Sequence, residues 1–198
     1  MDGFQKRTDQ KKEMIKNTAI ELLRTLPPKK VSIRDISAKA DVSMVTIYNY
    51  FQNKDGLFLE IVKDMVDEQL NSSRKIIESG EQFPLKIKKL IYNKSLLLSD
   101  FHPDFITYIM QNEETKRILS EVHEKESSSL IEKFIQSGIE EGYVNPELPA
   151  PLLMNMIELF RRDIHSQESI LSSGFNMNEI HMHIIEMLLY GVSGKRKE

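Results

Sequence analysis

The stretch VSMVTIYNYF, residues 42–51, has two different faces when it is wound as an α-helix. Residues three or four positions apart share a face. One face carries Met44, Val45, Tyr48 and Asn49. The opposite face carries Ile47 and Phe51, which suit the core of a small domain. Because the first face has no such core to join, the stretch predicts a helix that is anchored on one side and offers the other side to a partner.

The preceding stretch, VSIRDISAKAD at residues 31–41, predicts a second short helix. Ser32 fits the N-cap, and Asp35 three residues later fits the acid of a capping box. Val31 and Ile36 have the spacing of a hydrophobic staple. A helix, a tight turn and a second helix together predict a helix-turn-helix.

The resemblance to a known family is carried by eleven positions in and around this motif. They are Ser32, Ile36, Ala40, Val42, Ser43, Thr46, Tyr48, Tyr50, Phe51, Lys54 and Leu57. With these residues the stretch resembles the DNA-binding signature of the tetracycline-repressor (TetR) family, over the first quarter to third of the chain. Asp41 departs from the pattern, because the family usually has Gly in this turn. Asp tolerates a left-handed backbone better than most residues, so we expect the turn to survive at some cost.

The resemblance implies an all-α protein with two domains. A three-helix DNA-binding domain, residues 1–53, is expected to be joined by a long fourth helix to a helical ligand-binding and dimerisation domain, residues 54–198. The apolar periodicity predicts about nine helices in total. Beyond the helix-turn-helix they run from about Thr8 to Thr25, from an Asn53 N-cap past Leu70, from Pro84 to Phe101, from Asp104 to Gln111, from Glu113 to Glu141 with Gly142 as cap, from Ala150 to Ser172 and from Asn176 to Val192.

Composition bounds the class of protein. The chain has 198 residues, of which 40% are hydrophobic and 29% are charged, and it has no cysteine. The absence of cysteine excludes disulfides, thiolate metal sites and cysteine catalysis. No apolar run approaches the length of a membrane span, and the N-terminal residues lack the apolar centre of a secretory signal. We therefore expect a cytoplasmic protein that does not enter a membrane.

The charge is distributed unevenly along the chain. Residues 1–63 carry 12 Lys and Arg against 8 Asp and Glu, a net of +4, and the remainder carries 15 against 22, a net of −7. A basic region on the helix-turn-helix suits a polyanion such as double-stranded DNA.

The outward face of the second helix predicts how the DNA is read. Base contacts are expected from Met44, Val45, Tyr48 and Asn49. This face has no Arg or Lys, Asn pairs with adenine, and apolar groups meet the thymine methyl, so we expect an operator rich in A·T at the contacted positions. Phosphate contacts are expected from Ser32, Ser43, Thr46, Tyr48, Tyr50 and Lys54. For Tyr48, Tyr50 and Lys54 that role is implied by the resemblance.

For the remainder of the chain, the resemblance implies a homodimer that binds a small-molecule effector, although the apolar helices would also fit deep burial within a monomer. The last two helices are apolar over more than one face, so we expect them to pair with the same helices of a second copy. The residues assigned to that interface are Ile157, Ile164, Ile180, Ile184, Met187 and Leu188. Large apolar side chains favour an apolar or amphipathic effector. The residues assigned to the effector pocket are Phe101, Phe105, Tyr108, Ile109, Phe134, Met154 and Phe160.

The family resemblance implies a transcriptional regulator, usually a repressor that leaves its operator when the effector binds. No serine lies in a recognisable nucleophile motif, so we expect no enzyme activity and no cofactor. His181 and His183 are two residues apart and point in different directions on a helix, so no metal site is expected. An alternative stays open because of Asp41: a ligand-binding or interaction protein whose helix-turn-helix no longer binds DNA.

Overall fold

The computed structural model describes residues 3–122 and 128–155, and every regular element among them is helical. The prediction of an all-α protein is confirmed. The elements are α1 (Gly3–Thr25), a short 3-10 helix (Pro28–Lys30), α2 (Ile33–Lys39), α3 (Met44–Phe51), α4 (Lys54–Ile77), α5 (Phe83–Ser99), α6 (Pro103–Gln111), α7 (Glu113–Val122) and α8 (Ser128–Glu140). Residues 150–155 are helical as well.

The predicted caps are present at the helix ends. Ser32 caps α2 in a complete capping box with Asp35. Asn53 caps α4, because its side-chain oxygen accepts the Gly56 backbone N–H at 2.8 Å. Gly142, two residues beyond the end of α8, has a left-handed backbone with φ of 76°. These ends were predictable because each cap depends on residues only a few positions apart.

The chain forms two compact units. The first combines Met1–Glu68 with Leu96–Glu121, and the second combines Gln69–Ser95 with Val122–Glu198. The chain therefore passes from one unit to the other within α4, again within α5 and a third time at the end of α7. The predicted functional boundary between residues 53 and 54 stays a prediction.

The core of the first unit is built from α1, α2, α3, the first half of α4, and α6. Each of these helices contributes fully buried side chains, and Phe58 and Phe105 are the largest of them. The α1 contribution is Ile15, Ala19 and Leu23, all at 0% exposure. We call α1, α2, α3 and the first turns of α4 the head.

The second unit has its own apolar cluster around Phe83. The Phe83 ring stacks on Phe134 with centroids 4.6 Å apart and on Tyr143 at 5.9 Å. Gly138 on α8 makes this packing possible, because a Cβ there would lie 2.6 Å from the Phe83 ring. Within residues 3–122 and 128–155, no helix is long and apolar enough to cross a membrane.

Most helix boundaries lie within one or two residues of the prediction, and α1 and α7 depart further from it. The first helix begins at Gly3 and not near Thr8, and two links between residues four apart support its first turns: Arg7 donates to the Gly3 carbonyl, and Gln5 donates to Asp9. The helix expected from Glu113 to Glu141 is described as α7 and α8 on either side of residues 123–127, which lie outside the described residues. The start of the next helix at Ala150 is confirmed, while its end and the last helix fall outside them.

Candidate nucleic-acid interface

The two faces of α3 differ in exposure as the sequence predicts. Ile47 and Phe51 are buried in the core of the head, with 0% and 6% of their surface exposed. On the other face, Met44, Val45 and Tyr48 are 46%, 65% and 48% exposed, and Asn49 is exposed too. Three large apolar side chains and one amide therefore form an outward face on a helix that is fixed from behind.

The turn between α2 and α3 is intact despite Asp41. Asp41 adopts a left-handed backbone with φ of 50°, the conformation for which the family uses Gly. Ser37 holds the turn closed, because its carbonyl accepts the Val42 N–H at 3.2 Å and its hydroxyl donates to the Val42 carbonyl at 2.6 Å. Asp41 therefore does not distort the helix-turn-helix.

Ser43 is the N-cap of α3, a role that the sequence reasoning missed. Its hydroxyl accepts the Thr46 backbone N–H at 3.1 Å, and the two hydroxyls of Ser43 and Thr46 lie 2.8 Å apart. The signal was available, because Ser is a preferred N-cap and Thr46 stands three residues on. Each hydroxyl has one hydrogen, and the hydroxyl pair uses one of the two, so the pair can still donate to a phosphate oxygen.

Two other residues expected at the phosphates have partners within the protein. The Tyr50 ring is half-buried, and the Lys12 ammonium lies 5.7 Å from its centroid. The Lys54 ammonium donates to the backbone carbonyls of Pro28 at 3.0 Å and Val31 at 3.2 Å. Of the remaining two, Ser32 is engaged in its capping box, and Tyr48 stands on the exposed face of α3.

Helix α6 is bound to the head by polar contacts that sequence reasoning did not find. The His102 backbone N–H donates to the Leu23 carbonyl at the end of α1, at 2.9 Å. The Tyr108 hydroxyl donates to the Asp55 carboxylate on the first turn of α4, also at 2.9 Å. Partial burial and this hydrogen bond raise the pKa of Tyr108 far above its usual range, so the hydroxyl stays protonated and remains a donor.

The aromatic residues around α6 pack against α4. Phe58 meets the rings of Phe105 and Tyr108 edge-on, with centroids 6.0 Å and 5.8 Å away. Phe101 lies 5.0 Å from Phe105. Since Phe105 is completely buried, this cluster is part of the core of the first unit.

The structure thus distributes the predicted pocket residues between two clusters. Phe101, Phe105, Tyr108 and Ile109 belong to or pack against the core of the first unit. Phe134 and Met154 pack in the second unit around Phe83. Phe160 lies outside the described residues. Their assignment to an effector pocket stays a prediction.

The predicted dimer interface also falls outside the described residues, since Ile157, Ile164, Ile180, Ile184, Met187 and Leu188 all lie beyond residue 155. Within the described ranges, no three His, Asp or Glu side chains come together as a metal-binding group.

The head matches a known family model, and longer parts of the chain resemble individual proteins. Residues 15–61 match the family model described as "Bacterial regulatory proteins, tetR family". An uncharacterized HTH-type transcriptional regulator of Bacillus subtilis, YvdT, is 29% identical over 51% of this chain and 52% of its own length. The HTH-type transcriptional repressor KstR2 of Mycolicibacterium smegmatis is 21% identical over 65% of each. The chain spans about half to two thirds of the length of these curated relatives.

Solved structures share the fold over nearly the whole chain. A transcriptional regulator of the TetR/AcrR family from Thermobifida fusca superposes with a TM-score of 0.69 and 20% identity, covering 95% of this chain and 100% of the other. FadR from Bacillus subtilis, solved in complex with stearoyl-CoA, gives 0.64 and 18%, covering 91% and 98%. The region matched by the family model includes α2, the turn and α3. The helix-turn-helix therefore lies in the part of the chain that matches the TetR family model, and the chain shares the all-helical fold of these solved structures.

Proposed function

We propose that this protein is a sequence-specific, DNA-binding transcriptional regulator that represses its target until a small apolar or amphipathic effector binds. One observation carries the proposal: α3 presents Met44, Val45, Tyr48 and Asn49 outward while Ile47 and Phe51 fix it from behind. Contiguous exposed apolar side chains usually mark an interaction surface. In a helix-turn-helix, the second helix enters the major groove.

The chemistry of this face favours A·T base pairs. Asn49 can form two hydrogen bonds with an adenine edge, and Met44 and Val45 can pack on thymine methyl groups. The exposed face has no cation to read guanine. The hydroxyls of Ser43 and Thr46, at the N-terminus of α3, are suited to phosphates beside the contacted bases. A regulator acting on chromosomal DNA in this way works in the cytoplasm.

We propose that the protein acts as a homodimer. A single helix-turn-helix contacts few base pairs, so proteins of this kind pair two copies on half-sites about 34–36 Å apart or a multiple of that. The apolar positions predicted to mediate pairing lie between Ile157 and Leu188. The operator should then be a palindrome, because a two-fold dimer presents identical α3 faces to both half-sites.

The names of two similar proteins support the effector class. FadR of Bacillus subtilis was solved with stearoyl-CoA, and KstR2 of Mycobacterium tuberculosis is called a ketosteroid transcriptional regulator. Both names point to ligands with large apolar parts. We propose the same class for this chain, with α6 carrying the response to the head through His102 and Tyr108. Coupling of this kind typically changes affinity by about 5–150-fold.

Selection of bound duplexes from a random library by the full chain tests the proposal. We expect an enriched palindrome with A·T at the positions nearest α3. The Asn49→Ala variant should lose about 1–3 kcal/mol of discrimination at one adenine in each half-site while its stability is unchanged. Selected positions dominated by G·C would contradict the base readout. A library with no enriched sequence would favour the alternative, in which the helix-turn-helix no longer binds DNA.

Stearoyl-CoA serves as the first effector probe in the same binding assay. Weaker binding to the selected duplex, with unchanged affinity for a duplex of unrelated sequence, supports an amphipathic effector. An unchanged operator affinity with bound stearoyl-CoA contradicts release by this class of ligand.

A further inference from the structure

The cations of the head differ in whether they are available to DNA. Three of them form ion pairs: Lys16 with Glu13 and Asp64, Arg24 with Asp100, and Lys39 with Glu21. By contrast, Lys29, Lys30 and Arg34 are exposed and have no hydrogen bond or ion pair to any residue that the structure describes. Unpaired cations are better suited to bind phosphate, because a cation in an ion pair must first give up its carboxylate partner.

Lys54 is the first residue of α4, and its ammonium group binds backbone carbonyls of the protein. Two of its three N–H groups go to the carbonyls of Pro28 and Val31, and the ammonium also lies 5.7 Å from the centre of the Phe58 ring. Pro28 is buried and Val31 is 1% exposed. Lys54 therefore gives the Val31 carbonyl a donor at the edge of the core, where a backbone acceptor is costly to leave without a partner, and gives the Pro28 carbonyl a second one.

The contacts of Lys54 determine how residues 28–31 are held. In a 3-10 helix, positions three apart lie on the same side, so Pro28 and Val31 share the buried side. The Val31 N–H to Pro28 carbonyl bond, at 3.3 Å, closes this turn. Lys29 and Lys30 are left on the outside. Since Lys54 follows the end of α3 by three residues, the turn lies beside the junction of α3 and α4.

Arg34 extends this basic surface onto α2. It lies between the buried residues Ile33 and Ile36 in sequence, and its own side chain is exposed. The neighbouring carboxylate, Asp35, is engaged with Ser32 in the capping box and does not pair with Arg34. We call Lys29, Lys30 and Arg34 the basic segment.

We infer that the basic segment binds the DNA phosphates flanking the bases read by α3, and that Lys54 is a positioning residue for this segment and not a phosphate contact. The inference deepens the proposed function and rests on it. It differs from the expectation drawn from the family resemblance, in which Lys54 itself contacts phosphate.

The salt dependence of binding separates the two roles. For duplex DNA, the logarithm of affinity falls with the logarithm of salt concentration by about 0.9 for each phosphate contact. The test measures this slope for the full chain on two duplexes: one of mixed sequence, and the operator duplex obtained from the proposed selection. Lys29→Gln, Lys30→Gln and Arg34→Gln should each reduce the slope by about 0.9 on both duplexes, and the triple variant by about 2.7.

Two further variants make the test specific. Lys88→Gln removes an exposed lysine of the second unit that has no partner among the described residues, so its slope should equal that of the wild type. Lys54→Gln should keep the wild-type slope, lower the melting temperature and weaken binding by the same factor at every salt concentration. Far-UV circular dichroism confirms that each variant is folded.

Either of two results would overturn the inference. One is wild-type slopes in the variants of the basic segment. The other is a slope reduced by about 0.9 in Lys54→Gln with an unchanged melting temperature, which would make Lys54 a phosphate contact. A wild-type protein that does not prefer the selected duplex contradicts the proposed function instead, and the slopes on the mixed-sequence duplex still decide the role of the basic segment.

Discussion

Helices α3 and α6 are similar in size and composition but bury their apolar residues to very different extents. α3 has 8 residues and α6 has 9, and both are rich in large apolar side chains. In α3, Met44, Val45 and Tyr48 stay on the surface, whereas in α6 Phe105 is 0% and Ile109 8% exposed. Helices of similar composition therefore have different roles: α3 exposes its apolar residues to a partner, and α6 buries its apolar residues in the core.

The difference lies in what covers each helix. α6 has its apolar face against Phe58 of α4 and is held there by the hydrogen bonds of His102 and Tyr108. α3 is anchored by the buried Ile47 and Phe51, with Tyr50 packed beside them, and its other face has no comparable cover in the head. Apolar residues on α6 should therefore determine stability, and those on the outward face of α3 should determine DNA affinity.

The substitution with the largest expected effect is Phe105→Ala. Removing a fully buried ring leaves a cavity between α4 and α6, which typically costs about 3–5 kcal/mol of unfolding free energy. Urea denaturation followed by circular dichroism measures this loss. A loss below about 1 kcal/mol would show that the aromatic cluster is not a core contact.

Tyr48→Ala is the matched control on α3. Its ring is 48% exposed, so the free energy of unfolding should change by no more than about 0.5 kcal/mol. Affinity for the selected duplex should fall several-fold, since a large contact with DNA is lost. If Tyr48→Ala were as destabilising as Phe105→Ala, the two faces of α3 would not have separate roles.

The helix-turn-helix was predictable from sequence because its determinants are local. The Ser32 capping box links residues three apart, and the division of α3 follows from helical spacing alone. At Asp41 the family resemblance supplied the expectation of a left-handed turn, and Asp could be expected to keep it because it tolerates that backbone better than most residues. For this part of the fold, short-range rules were sufficient.

The surroundings of α6 and Lys54 were not predictable in the same way. Tyr108 meets Asp55 across 53 positions of sequence, and Lys54 meets Pro28 across 26. Apolar periodicity indicates that a helix has a buried face but does not indicate which helix covers it. For that reason the residues of α6 were assigned to a pocket. The phosphate-binding role expected for Lys54 came from the family resemblance.

A smaller effect is expected from Tyr108→Phe, which removes the hydrogen bond between α6 and α4 and keeps the ring. One such bond contributes about 0.5–1.5 kcal/mol to stability. Because burial and Asp55 raise the pKa of Tyr108, its contribution is complete below the unfolded value of about 10 and is lost as pH rises toward the folded value. The stability difference between wild type and variant should be constant up to about pH 10 and shrink above it.

Urea denaturation of both proteins at a series of pH values measures that difference. A difference that is already zero at neutral pH would mean that the hydroxyl does not hold α6 to α4. The same variant also sharpens the proposed role of α6: if α6 transmits the effector response, the fold-change in operator affinity caused by stearoyl-CoA should be smaller in Tyr108→Phe than in wild type.

The smallest effect is expected at Asp41, the residue that sets the angle at which α3 leaves the turn. Asp41→Gly relieves the left-handed strain but adds backbone entropy to the unfolded chain, so stability should rise by less than about 0.5 kcal/mol. The change also removes an exposed carboxylate, without a partner among the described residues, next to the DNA-reading helix. Operator affinity should therefore increase at low salt, and the gain should fade as salt screens the charge.

Asp41→Asn separates the two contributions, because it removes the charge and keeps a side chain that tolerates the turn. Equal affinity gains in both variants would assign the effect to charge repulsion, while weaker binding by Asp41→Gly would mean that the family's glycine is not an improvement in this turn.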